Sequence, residues 1–291
     1  MSNRSLPVLL AALLAALMLV AAGCGSDDDS STDSTTAVSA SLEDCQAGSL
    51  ETVSEGTLTI GTDKPAYPPY FVDDDPTNGE GFESAVGYAI AEQLGFTEDQ
   101  VEWTVVPFNK SFAPGPKDFD FDLNQVSITP QRAQAVDFSA PYYEADQAIV
   151  ATKGSEYADA TSLADFQDAS IGVQIGTTSL EAVEASIQPS AEPRVFQNSN
   201  DVVQALKQGQ VDAIVVDVPT AFFLTAVQVP DGEIVGSFPA PGGDEWGAVL
   251  AKDSPLTACV SAAIEELESS GELDELKSTW IDEKTKAPVL E

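Results

Sequence analysis

Apolar and polar positions along the chain switch between a two-residue and a 3.6-residue period, and the switches outline a succession of strands and helices. Residues 57–62 (TLTIGT) read as a first strand. The following DKPAYPPY, 63–70, holds three prolines and cannot be helical. Phe82, Val86, Ile90 and Leu94 recur at helical spacing, and Gly95 supplies a stop. Residues 101–106 read as the next strand. Residues 113–117 (APGPK) read as a loop. FDFDLNQV, 119–126, alternates as a half-buried strand does. Thr129 and Pro130 then suit the N-cap and first position of a helix. Strands follow at 148–152, at the start of 170–179, at 212–221 and from Trp246 onward. Helices are expected at 201–208, ended by Gly209, at 256–270, followed by Gly271, and at 273–280. No internal repeat is evident.

Composition narrows the function. Twelve Lys plus Arg stand against 48 Asp plus Glu, a formal net charge of −36 over 291 residues. Phosphate recognition needs a basic face, so nucleic acid is not an expected partner. The imbalance implies self-repulsion unless salt screens it. A salty habitat and a merely acidic surface composition both accommodate it. There is no histidine, which removes Ser-His-Asp and Cys-His catalysis and every His-based metal site. Carboxylate chemistry stays open. No metal or cofactor site is expected.

The first 23 residues carry Arg4 and then an apolar run broken only by Ser5 and Pro7, a pattern suited to a cleavable secretory signal. VAAGC, ending in Cys24, resembles a lipobox whose cysteine is lipidated, with Ala21 where Leu is usual. The polar, low-complexity stretch after it reads as a tether, and 24–56 are assigned to tether and N-terminal arm. Cys45 and Cys259 remain as an even pair in an exported chain. They are expected either as a disulfide or as two buried thiols.

Candidate chemistry concentrates in NQVSITPQRAQAVDFSAPYY, 124–143. Arg132 falls in the first turn of the expected helix, facing the positive end of its dipole, so an anion belongs nearby. The helix N–H groups, the Ser127 hydroxyl and the guanidinium would together cradle a carboxylate. A surface ion pair of Arg132 with Asp122 or Asp137 is the plain alternative. Asp217 stands at the end of an apolar strand beside a helix start, where it either meets a cation or caps the helix. The Gly and two Thr of SIGVQIGTTS, 170–179, resemble a phosphate loop, but no G-K-[ST] follows, so nucleotide binding is rejected.

SITPQR followed by VDFSAPYY resembles the bacterial extracellular solute-binding proteins that deliver polar amino acids to ABC importers, and the likeness extends over 57–281. The resemblance implies a two-lobe α/β fold of the periplasmic-binding-protein type II, with the ligand in the cleft between lobes. Lobe one is assigned to 57–149 plus 240–291 and lobe two to 150–239. It implies that Arg132, Ser127 and Thr178 grip the ligand's α-carboxylate and that Asp217 binds its α-ammonium. Asp63 and Tyr67 after the first strand, Phe108, and Asn124 with Gln125 complete the ligand set. Glu83 is read as a helix cap and Trp246 as a closure of the core. The chain is expected to act as a lipid-anchored monomer on the outer face of the membrane and to hand its amino acid to permease subunits. Alternatives are a carboxylate-using dehydratase of the cyclohexadienyl type on the same fold, or a sensory domain, which would carry a following transmembrane or kinase segment.

Overall fold

The computed structural model describes residues 41–281 and 287–290. Its elements run β1 Leu58–Thr62, α1 Phe82–Gln93, β2 Val101–Val105, α2 Phe108–Ser111, β3 Phe121–Asp122, β4 Val136–Glu144 and β5 Gln147–Thr152. They continue β6 Ile171–Gln174, α3 Thr178–Ala182, β7 Arg194–Phe196, α4 Ser199–Lys207, β8 Ala213–Asp217, α5 Val218–Phe223, β9 Gly232–Phe238, β10 Glu245–Ala251, α6 Thr257–Ser270 and α7 Glu272–Trp280. Among the described residues ten strands form two five-stranded sheets, ordered β2-β1-β3-β10-β4 and β7-β6-β8-β5-β9. In the first, β1 runs parallel to β2 and β3, while β10 is antiparallel to β3 and β4. In the second, β6 runs parallel to β7 and β8, and β5 is antiparallel to β8 and β9.

Each sheet has its own core. Phe82, Val86 and Ile90 descend one face of α1 and are fully buried with Leu58, Ile60, Trp246 and Ile264. Burying such a side chain stabilises by roughly 1.5–3 kcal/mol, so Ile90→Ala would cost about 2–5 kcal/mol with its cavity. Gly87 lets α1 lie on β2, since a Cβ there would meet the Trp103 ring at 2.9 Å. The second sheet is covered on one face by Phe166, Val183 and Ile187 and on the other by Val202, Leu206 and Leu224. Cys45 and Cys259 are disulfide-bonded with Cα atoms 5.5 Å apart, joining the arm before β1 to α6 in the first core.

Among the described residues two segments cross between the sheets, 145–146 from β4 to β5 and 239–244 from β9 to β10. The lobe boundaries differ from the expected ones at two places. β5 begins at Gln147 and belongs wholly to the second sheet. Residues 287–290 also lie there rather than in lobe one: Ser237 N–H donates to Pro288 O at 2.6 Å, Leu290 N–H donates to Ser237 O at 2.8 Å, and Leu290 is buried in the second core. Leu290 finds a ready place because Gly236 leaves room beneath it.

The stretch around Arg132 is less regular than its pattern predicts. The expected strand 119–126 contributes only Phe121 and Asp122 to the ladder. Gln125 adopts φ 50, in the left-handed region, which ends the extended run. The expected helix is one 3₁₀ turn, Arg132–Gln134, because β4 begins at Val136 in register with Ala251. Thr129 Oγ1 still accepts from Arg132 N–H at 3.2 Å, as a capping side chain does.

Candidate functional site

Between the two sheets lies a cavity of about 680 Å³. Asp63, Tyr67, Phe108, Asn124, Gln125, Ser127, Thr178 and Asp217 all line it. β1 places Asp63 at its carboxyl end, and β8 does the same for Asp217, so both sheets present acids where their strands open toward the cleft. Arg132 does not line the cavity directly. It stands behind it, 8% exposed, with its guanidinium 4.4 Å from the Phe112 ring centre and 5.7 Å from that of Phe108.

Neither surface ion pair suggested for Arg132 exists. Asp137 bonds Lys252 at 3.0 Å, and Asp122 is fully buried with no hydrogen bond to either carboxylate oxygen. Arg132 instead donates from Nη1 to Ser127 O at 2.7 Å and from Nη2 to Gly176 O at 2.8 Å, the second bond crossing from the first lobe to the second. Burial pushes its pKa down, against the attraction of Asp244, Glu181 and Asp217. A cation held this way keeps further N–H donors for an anion.

Thr178 opens α3, but the N-cap is Thr177, whose Oγ1 accepts from Leu180 N–H at 3.3 Å. The Thr178 hydroxyl is therefore spare. It bonds Asp244 Oδ2 at 3.0 Å and meets Ser127 Oγ across the cleft at 3.2 Å. Asp217 occupies the N-cap position of α5 yet makes no capping hydrogen bond, which removes the capping alternative. Its Oδ1 accepts from Gln147 Nε2 at 2.7 Å. Burial, and then the neighbouring Asp244, pushes its pKa well up, while Gln147 and Arg132 pull the other way. An acid desolvated in this way at a cavity wall has much to gain from a cation.

Asp63 also organises its loop: Oδ1 accepts from Lys64 N–H at 2.7 Å and Oδ2 from Phe108 N–H at 3.3 Å, with burial raising its pKa. Tyr67 stacks on Phe223 of α5, centroids 5.6 Å apart, and Tyr70 Oη bonds Thr220 Oγ1 at 2.9 Å, so two aromatics of one lobe rest on a helix of the other. Glu83 is not a helix cap. It is fully buried and accepts from Tyr142 Oη at 2.5 Å, from Gln125 N–H at 2.8 Å and from the Gln125 side-chain amide. Glu83 thereby holds Gln125 in its left-handed conformation on the cavity wall. Trp246 packs in the core against Tyr70 and Tyr143 and does not line the cavity.

The sequence profile of the bacterial extracellular solute-binding proteins, family 3, matches residues 58–283, which spans both sheets. The chain belongs to this family. It is 30% identical over 234 residues to the arginine-binding extracellular protein ArtP of Bacillus subtilis strain 168, covering 77% of this chain and 85% of ArtP. Among solved structures it resembles an ancestral arginine-binding protein bound to arginine, with a TM-score of 0.65, 32% identity, and coverage of 78% and 98% of the two chains. It also resembles the ancestral amino acid-binding protein AncCDT-1, a precursor of cyclohexadienyl dehydratase, with a TM-score of 0.63, 30% identity, and coverage of 78% and 95%.

Several residues of this family-3 cleft escaped the sequence reading. Gln147, Asp244, Phe223 and Thr220 bridge lobes or anchors, yet each sits in a stretch with a plain structural pattern. Asp244 is one of 48 acidic residues, and nothing in its local sequence sets it apart. Among the described residues no group of acids or cysteines could hold a metal ion, and no helix is long and apolar enough to cross a membrane. The expected signal, Cys24 and the expected tether up to residue 40 lie outside the described residues.

Proposed function

We propose that this solute-binding protein takes one amino acid into the cleft and delivers it to the permease subunits of an ABC importer. One observation carries the reading: a carboxylate of the second lobe, Asp217, lines the cavity, and a cation of the first lobe, Arg132, stands behind its wall, bonded to Ser127 O and Gly176 O. Opposite charges at two ends suit a zwitterion, and neither a sugar nor a simple anion uses both. The α-carboxylate is assigned to Arg132, Ser127 and Thr178, and the α-ammonium to Asp217. Tyr67 and Phe108 offer apolar ring area to the side chain, with Asp63, Asn124 and Gln125 as its polar contacts. Because the anchors come from different lobes, a ligand contacts all of them only when the cleft is shut, and so favours the closed state. A thermal-shift screen of amino acids tests this, since a ligand that binds the native state raises Tm. No shift with any of them overturns it.

The protein acts as a binding protein and not an enzyme in this reading, as a monomer on the outer face of the membrane. Cys24 would anchor it; stable anchoring needs more than one acyl chain, as lipoprotein acylation supplies. Cys24→Ala is expected to shift the protein from the membrane fraction to the medium. The likeness to AncCDT-1 and the adjacent acids Asp217 and Asp244 favour a second reading, a carboxylate-using dehydratase. Incubation with prephenate or arogenate decides it, and no product is expected.

A further inference from the structure

The assigned anchors do not end at the cavity wall. Behind them lies Asp244, on the 239–244 crossing, 1% exposed and outside the cavity lining. Its Oδ2 accepts from Gln147 Nε2 at 2.6 Å and from Thr178 Oγ1 at 3.0 Å. Its Oδ1 is buried with no hydrogen-bond partner. Gln147 is the first residue after the other crossing, and its single amide nitrogen donates to both Asp244 and Asp217. Its carbonyl oxygen accepts from Ser179 Oγ at 2.6 Å. The crossings are tied by backbone as well, Ala145 N–H donating to Asp244 O at 2.9 Å. Thr178 and Asp217, assigned to opposite ends of the ligand, are thus joined through one carboxylate and one amide at the hinge.

We infer that Asp244 is a positioning residue, which through Gln147 and Thr178 sets both ligand anchors and, as a second acid beside Asp217, makes binding of the ligand's ammonium release a proton. This rests on the amino-acid reading of the cleft. Arg132 faces two acids, Asp217 and Asp244, with Glu83 acting on Asp217 and Glu181 on Arg132 from neighbouring elements. Asp217 also acts electrostatically on the hydroxyls of Tyr67 and Tyr70. A single Gln147 amide is the donor the two acids share, so without ligand the pair favours retention of one proton between them. Burial raises both acids, in agreement. The ligand's carboxylate is answered at the other end by Arg132 and the Ser127 and Thr178 hydroxyls, while its ammonium at Asp217 takes the place of the shared proton, which leaves to buffer.

Calorimetry with the amino acid found by the thermal-shift screen tests this, at pH 6.5 in buffers of differing ionisation heat. Wild type is expected to show a binding heat that varies with the buffer, in the sense of proton release. Asp244→Asn, which preserves shape, is expected to lose that variation and to bind about tenfold more weakly, an effect of one charged hydrogen-bonded group. A merely structural role would weaken binding without changing proton release. A buffer-independent heat in wild type overturns the proposal whether or not the variant folds. So does an Asp244→Asn protein, folded by circular dichroism, with wild-type affinity and proton release. Both outcomes leave the amino-acid reading standing, whereas failure of the wild type to bind any amino acid overturns both.

Discussion

Glu83 offers a pH test that needs no ligand. It is fully buried, and burial lifts its pKa from the ordinary 4.5 to about 7, against the lowering effect of hydrogen bonds from Tyr142 and Gln125. The unfolded chain ionises this acid above its ordinary pKa, while the folded protein retains the proton up to about pH 7. In that window the native state binds more protons than the unfolded state, so stability falls as pH rises and levels off above the folded pKa. The span corresponds to about 3 kcal/mol at 1.36 kcal/mol per pKa unit. Buried Asp122 and Asp244 and half-buried Asp217 also have raised pKa values and add to the same slope, so the diagnostic quantity is a difference between proteins. Glu83→Gln is expected to flatten the dependence of unfolding free energy on pH between about pH 4.5 and 7, by up to one proton's worth. Urea unfolding followed by circular dichroism at half-unit pH steps measures it. A variant whose slope matches wild type across the window would show that Glu83 ionises normally in the fold, and the account of its burial would be wrong.

Arg132→Ala is expected to weaken amino-acid binding by about two decades or more, since at least two charge-assisted bonds are lost, and Asp217→Asn comparably. Calorimetry with circular dichroism as fold control checks both, and near-native affinity removes that residue from the site. The Cys45–Cys259 bond closes a separation of 214 residues, so its reduction should destabilise by up to about 5 kcal/mol. Urea unfolding with and without reductant measures this, and an unchanged midpoint refutes it. Stability is expected to rise with NaCl, because the described residues hold few ion pairs against a net charge of −36, and at about 1 M salt the Debye length shrinks to roughly 3 Å. A Tm that stays flat or falls with salt would contradict it.

Elements whose identity rests on their own periodicity were legible from residue order. α1, α6 and α7 fall where the apolar spacing places them, because each helix buries one face and the repeat marks that face, and β1 lies within the apolar run 57–62; of the strand expected at 212–221 only 213–217 is β8, and α5 begins at Val218, where the chain turns from the sheet. The family was legible for the same local reason, carried by SITPQR and VDFSAPYY within one short stretch. So was the even pair of cysteines, though only the approach of Cys45 to Cys259 across 214 residues decided for a disulfide over two thiols. Local pattern failed where a distant group overrode it. The alternation of 119–126 predicted a full strand, but Glu83, some forty residues earlier, holds Gln125 in a left-handed turn. The last residues carried no signal for the second sheet, which they reach because Gly236 leaves space for Leu290. Residue type and spacing nominated Arg132 and Asp217 one at a time. Their joint placement, and the Gln147–Asp244 link between the crossings, exists only after two sheets close on each other, since those contacts span 70 to 97 residues.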